Sequence, residues 1–146
     1  MKLKELNHVA IQVADVERSR DFYGRVLQLL PLPRPAFNFP GAWFRLGEVQ
    51  ELHIIGNRTT PVHSASRGDH FALLVDDLDE WEQYFVASNV AFQARQIRPD
   101  RAYQIFLKDP DGHTIELCTP PGTAPLEAVV ETNYPYNGEA SIRRRR

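Results

Sequence analysis

Two stretches of the chain share one pattern of apolar and polar positions. The first is Leu6-Asn7-His8-Val9-Ala10-Ile11-Gln12-Val13-Ala14-Asp15-Val16 and the second Gly68-Asp69-His70-Phe71-Ala72-Leu73-Leu74-Val75-Asp76-Asp77-Leu78. In each, a short polar pair precedes an apolar run that closes on Val, with Asp two residues beyond. The offset is 62 residues for His8/His70, Val13/Val75 and Asp15/Asp77 alike. Each apolar run is too short for an ordinary helix and is bounded by polar residues, so it predicts a strand. Asp15 and Asp77 are placed as helix N-caps with acidic residues in the turn that follows. Val16, Tyr23, Val26, Leu27 and Leu30 then recur at helical spacing, as do Leu78, Trp81 and Phe85. Each helix therefore has one apolar face to lay on a sheet.

The first helix must stop before Pro31-Leu32-Pro33-Arg34-Pro35, which cannot continue it. Three β runs are expected after each helix: Pro35–Phe39, Ala42–Leu46 and Val49–Ile55 in the first copy, Ala91–Arg95, Ala102–Leu107 and His113–Cys118 in the second. Asp109-Pro110-Asp111-Gly112 is a strong turn signal between the last two. The pattern predicts an α+β chain of two βαβββ modules forming a cupped mixed sheet. Module one covers 1–56, a linker 57–67, module two 68–118 and a C-terminal tail 119–146, all within one domain.

His8 and His70 hold the same place in the two repeats. Glu116 lies between Ile115 and Leu117 in the last predicted strand, and alternation turns it away from both. If those two pack on the helix, Glu116 points to the opposite face, where a carboxylate is costly unless paired or bound to a cation. Imidazole with carboxylate suits one divalent ion, Zn, Ni, Mn or Fe. Taken singly, a histidine in an apolar strand is more often a hydrogen-bonded core residue. The repeat relation and the inward carboxylate are what raise the ligand reading above that. His63 falls in the linker, and His113 has the parity of Ile115 and Leu117, which makes it structural.

The chain has 146 residues, of which 42% are apolar and 25% charged, the balance of a globular protein. A net charge of −2 gives no general attraction to nucleic acid or acidic membranes. Arg143 to Arg146 is the basic run at the end, expected to be solvated. Cys118 is the one cysteine, so no internal disulfide can form. No stretch approaches the ~18–20 apolar residues of a membrane span. The expectation is a cytoplasmic protein.

The pieces Asn7-His8-Val9-Ala10-Ile11, Asp21-Phe22-Tyr23, Val26-Leu27, Asp69-His70-Phe71-Ala72 and Asp109-Pro110-Asp111-Gly112-His113-Thr114-Ile115-Glu116-Leu117 resemble the vicinal oxygen chelate superfamily. That group holds glyoxalase I, fosfomycin-resistance proteins, methylmalonyl-CoA epimerase, bleomycin-resistance proteins and extradiol dioxygenases. The resemblance spans residues 6–118 and is nearest to glyoxalase-like members. It implies paired βαβββ modules around a metal held by His8, His70, Glu116 and a fourth residue in the last strand of module one. Aligning Gly47 with Gly112 selects Glu51 for that place. Carrying the offset of 62 forward lands on Ile54, one residue from His53. His53 is preferred, with Glu51 as the alternative.

The resemblance further implies a metal-dependent lyase or isomerase similar to lactoylglutathione lyase, moving a proton next to a metal-chelated carbonyl of a small-molecule substrate. Glu116 is the expected base and Glu51 the alternative. Phe37, Phe39 and Trp43 are either a substrate wall or core. Arg34, Arg95, Arg98 and Arg101 are either anion-binding or surface residues. Two alternatives from other classes stand beside this: an Fe(II) extradiol-type dioxygenase and a metal-free ligand-binding protein like those of bleomycin resistance. A thiol transferase of the fosfomycin-resistance kind also fits three ligands. Related proteins imply a homodimer whose sites combine His8 and His53 of one subunit with His70 and Glu116 of the other, with Leu126, Val129, Val130 and Tyr134 covering part of the partner.

Overall fold

The computed structural model describes residues 1–129. The two matching apolar runs are strands β1 (His8–Gln12) and β5 (His70–Leu74). Both aspartates cap the helices that follow. Asp15 Oδ1 accepts from the Arg18 N–H at 3.1 Å, and Asp77 Oδ1 accepts from the Asp79 and Glu80 N–H groups at 2.8 and 3.2 Å. These bonds satisfy donors that a helix start otherwise leaves open. Helix α1 (Val16–Asp21) runs on into a wider π-type turn over Phe22–Val26. The spacing predicted a helix reaching Leu30. Instead Gln28 takes a left-handed conformation at φ 54°, the chain turns away, and Leu30 is left 65% exposed. Helix α2 (Leu78–Ala87) ends in a closed C-terminal motif. Asn89 is left-handed, and the Val90 and Asn89 N–H groups bond Phe85 O and Val86 O at 2.8 and 3.2 Å.

Strands β2 (Pro31–Leu32), β3 (Gly41–Leu46) and β4 (Gln50–Ile55) join β1 in a sheet of order β1-β4-β3-β2. Strands β6 (Gln96–Ile97), β7 (Tyr103–Lys108) and β8 (Thr114–Cys118) join β5 in the order β5-β8-β7-β6. In each sheet the first pair is parallel and the rest antiparallel. The fold is thus α+β with two four-stranded mixed sheets, each built as βαβββ.

Two of the six predicted later strands lie elsewhere. Pro35–Phe39 is loop, and the pairing strand is Pro31–Leu32, opposite Phe44 and Trp43. It is an edge strand, where a proline's missing N–H costs no ladder bond. Ala91–Arg95 makes a single bridge, Phe92 to Leu107, and the ladder proper begins at Gln96 opposite Gln104. The tail, to which the sequence assigns no firm structure, carries a short 3-10 turn at Leu126–Val129. Leu126 is 73% exposed; Val130, Tyr134 and Arg143 to Arg146 lie outside the described residues. No helix among the described residues is long and apolar enough to cross a membrane.

Packing divides the chain into two compact units. Unit one is 1–63 with 109–112, and unit two is 64–108 with the residues from 113 on. In unit one Ile11, Val13, Tyr23, Leu27, Phe44, Leu52 and Ile54 are buried; in unit two Leu78, Phe85, Ile105, Leu107, Ile115 and Leu117 are. Fully burying one such side chain contributes about 1.5–3 kcal/mol. In both sheets these residues alternate with the candidate site residues, so the core positions turn the histidines and the glutamate the other way.

The turn Asp109-Pro110-Asp111-Gly112 belongs to unit one. Gly112 takes φ +99°, a conformation glycine adopts without strain. The buried Tyr23 hydroxyl donates to Asp109 Oδ2 at 2.9 Å, and the Ala14 N–H donates to Asp111 Oδ1 at 2.9 Å. Burial, then the Asp109 charge, raises the Tyr23 pKa well above its ordinary value. Unfolded tyrosine loses its proton near pH ~10 and folded Tyr23 does not. The unfolded state therefore binds fewer protons there, and stability falls as pH rises past that value. Tyr23→Phe is expected to cost about 1–3 kcal/mol at neutral pH and to remove Tyr23's share of the alkaline decline. Urea melts between pH 8 and 11 check both.

Candidate metal centre

In unit two, β5 and β8 run parallel with Ala72 opposite Glu116, which sets His70 one turn of the pleat away on the same face. His70 Nε2 lies 3.0 Å from Glu116 Oε2. Its Nδ1 faces the Gly68 carbonyl at 3.0 Å, and a carbonyl can only accept, so Nδ1 carries the hydrogen. In a neutral ring Nε2 is then a lone pair aimed at a carboxylate oxygen. A cation held between the two would turn this pair of acceptors into ligands. Anchoring the far nitrogen in this way is also how metal-ligating histidines are oriented.

Glu116 is 6% exposed at its side chain. Its Oε1 is buried and has no hydrogen-bond partner. The cation beside it is Arg98, whose Nη1 stands 3.9 Å off, beyond hydrogen-bond range. An orphaned buried carboxylate oxygen beside an imidazole lone pair fits a divalent ion well. Phe106 meets His70 edge-on at 5.6 Å. Cys118 lies on the same face of β8; burial, then the Glu116 charge, pushes its thiol pKa up.

In unit one, β1 and β4 are parallel with Ala10 opposite His53 and His8 opposite Glu51. His8 Nδ1 bonds Asn7 Oδ1 at 2.7 Å, leaving its Nε2 available. His53 Nε2 bonds Glu51 Oε2 at 2.8 Å. The His53 ring lies between Trp43 at 4.1 Å and His8 at 4.2 Å, nearly parallel to both. The stack continues outward to Phe37, 6.0 Å from Trp43, and Phe39, 5.1 Å from Phe37. Phe37 is 46% exposed, so it is not part of the core. Arg34 lies over Phe37 and Phe39 and donates to Phe39 O.

The sheets can be compared pair by pair. Ala10 and Ala72 are related by 62 residues, and their partners are His53 and Glu116. Across the other side of these strands stand Trp43 and Phe106. His53 thus holds the register place of Glu116, and Glu51 holds that of Thr114. The structure brings His70 to Glu116, and His8 to His53 and Glu51. Among the described residues it forms no group of three or more His, Cys, Asp or Glu side chains able to hold an ion. Asn7 was missed as a functional candidate, although its place in the polar pair before β1 carried the signal.

If the Glu116 carboxylate is kept for a cation, the metal-free protein bears its desolvation. Glu116→Gln is then expected to stabilise the metal-free protein by about 0.5–2 kcal/mol, read by thermal melting in the presence of a chelator. A loss of several kcal/mol would instead mark Glu116 as half of a structural ion pair.

The sequence profile of the Glyoxalase/Bleomycin resistance protein/Dioxygenase superfamily matches residues 5–117. A metallothiol transferase FosB of Staphylococcus saprophyticus is 29% identical over 124 residues, 80% of this chain and 78% of that protein. A protein named glyoxylase I 4, from Arabidopsis thaliana, is 27% identical over 126 residues, 81% and 72% of the two chains. Among solved structures, a glyoxalase family protein from Bacillus anthracis superposes with a TM-score of 0.70 at 27% identity, covering 82% of this chain and 97% of that one.

Proposed function

The chain belongs to the glyoxalase/bleomycin resistance protein/dioxygenase superfamily, and from that premise we propose that it is a metal-dependent lyase or isomerase that moves a proton next to a chelated carbonyl of a small molecule. The observation that carries this reading is the buried Glu116 carboxylate, bonded through one oxygen to His70 and orphaned at the other. His8, His53, His70 and Glu116 are the proposed ligands of one Zn, Ni, Mn or Fe ion. His53 is preferred to Glu51 because it shares the register place of Glu116. When bound, such an ion supplies Lewis-acid polarisation of the carbonyl.

The chain's own residues do the rest. Asn7 and the Gly68 carbonyl hold the Nδ1 sides of His8 and His70, so each ring presents Nε2. Glu116 takes the proton beside the carbonyl, and its buried setting keeps water from competing. Glu51, held by His53, is the other carboxylate available as base. Trp43 and Phe37 offer an apolar wall beside His53. The ligands form two incomplete sets within one chain, and we propose that they are completed in a cytoplasmic homodimer, with His8 and His53 from one subunit and His70 and Glu116 from its partner.

Thiol transfer is the second reading, favoured by the likeness to a metallothiol transferase. Protein loaded separately with Ni, Zn, Mn or Fe(II) separates the chemistries. Turnover of hemithioacetals of 2-oxoaldehydes without oxygen uptake, abolished by Glu116→Gln with metal occupancy measured alongside, is the expected result. Consumption of a thiol by a carbon electrophile selects the transferase. Oxygen uptake with Fe(II) and a catechol selects the dioxygenase.

Mixing two inactive variants tests the shared site. His8→Ala and Glu116→Gln each damage every site in their own homodimer. In the mixed dimer one site receives both lesions and the other neither, so metal binding should return at one ion per heterodimer. If all ligands came from one chain, mixing would restore nothing.

A further inference from the structure

Four arginines stand out in the sequence as possible anion binders, and the structure distinguishes them. Arg34 is stacked on Phe37 and Phe39 and tied to Phe39 O. Arg95 is bonded to Glu82 and Asp79 and lies over Tyr103. Arg101 donates to Ala124 O at 3.1 Å. Arg98 differs from these. Its Nη2 donates to Asp100 Oδ2 at 2.6 Å, but among the described residues its Nη1 is held only by attraction to Glu116 Oε1 across 3.9 Å. The Arg98 side chain is 41% exposed, so it is reachable from solvent.

We infer that Arg98 recognises an anionic group, a carboxylate or a phosphonate, on the substrate that chelates at Glu116 and His70. This rests on the metal reading above and adds a substrate class to it. The charges explain why the residue waits for the ion. Without a cation, one guanidinium stands between two carboxylates, Glu116 and Asp100, and an incoming anion is repelled. A divalent ion on Glu116 reverses the local sign. It engages the carboxylate that attracts Nη1, and Nη1 is then a charged donor beside the chelation site. An anionic substrate fills both needs at once: its paired oxygens go to the ion and its charged end to Nη1. Guanidinium suits this task because it presents planar donors that match carboxylate and phosphonate oxygens. Asp100 competes for the same group and sets how firmly it is held.

Bidentate hydroxamates with different tails test this on the Mn- or Zn-loaded protein, by calorimetric titration rather than turnover. Acetohydroxamate has no charged tail, succinohydroxamate ends in a carboxylate and phosphonoacetohydroxamate in a phosphonate. At least one anionic probe should bind about tenfold or more tighter than acetohydroxamate, as a charge-assisted hydrogen bond warrants; which one shows the margin identifies the anion. Arg98→Gln should erase the margin between anionic and neutral probes, with acetohydroxamate as each variant's own reference and its metal occupancy measured alongside. Asp100→Asn should widen it. An undiminished margin in Arg98→Gln, or no margin in the wild-type protein, overturns the inference while the metal reading stands. Failure of the protein to hold metal overturns both.

Discussion

A buried carboxylate with one oxygen unsatisfied is the constraint on which unit two is arranged. Leaving a polar atom in that state costs about 1–3 kcal/mol, and β8 bears it at its centre. Ile115 and Leu117, both buried, explain why the strand cannot escape. Their burial fixes one face of the strand, and alternation then drives Glu116 to the other face whatever waits there. Burial of several such side chains at about 1.5–3 kcal/mol each outweighs the single orphaned oxygen. The core thus holds a reactive group in an environment it would not choose, the usual physical condition for binding a cation or moving a proton.

Unit one shows the same frame with different chemistry. Trp43 stands where Phe106 does, and His53 where Glu116 does. In unit two a histidine and a carboxylate meet edge to edge across neighbouring strands. In unit one two histidines lie face to face, and the carboxylate that meets one of them comes from the same strand, two residues away. Replacing a small charged group by a ring at this register place converts a hydrogen-bonded pair into a stack. The stack then extends outward through Trp43 to Phe37, giving unit one an apolar wall while unit two has Arg98 and Asp100.

Much of this was legible in the sequence because it is periodic or local. The apolar runs, the capping aspartates and the parity of Glu116 follow from spacing alone, and the strands β3, β4, β7 and β8 fall within a residue or so of expectation. The misplaced runs share a cause: β2 and β6 are two-residue edge strands, too short to show alternation. The choice between His53 and Glu51 was obscured by turn length. The chain between β3 and β4 covers 47–49, that between β7 and β8 covers 109–113, so aligning Gly47 with Gly112 slips the strands. Strand register sets His53 against Glu116 at a separation of 63 residues, one more than that between β1 and β5. The Tyr23–Asp109 bond joins residues 86 apart, and no local pattern announces it. The division of the arginines likewise depends on neighbours brought together only by folding.

Among the described residues, the two histidines that define the repeat both sit on strands that pair on one side only: β1 bonds β4 and β5 bonds β8, each at the end of its sheet's order. An open edge is a liability, since its unpaired backbone groups invite another strand. The apolar surface nearby adds to it, with Leu6 63% and Leu74 69% exposed. On the arrangement proposed for the homodimer, the partner that covers such an edge is also the one that completes the ligand set. Coverage and coordination would then act on one equilibrium, because an ion that binds only the assembled form stabilises that form by mass action. Edge strands are therefore a sensible place for half of a metal site. On that proposal they would cost the isolated subunit some exposure and would make the chemistry conditional on assembly.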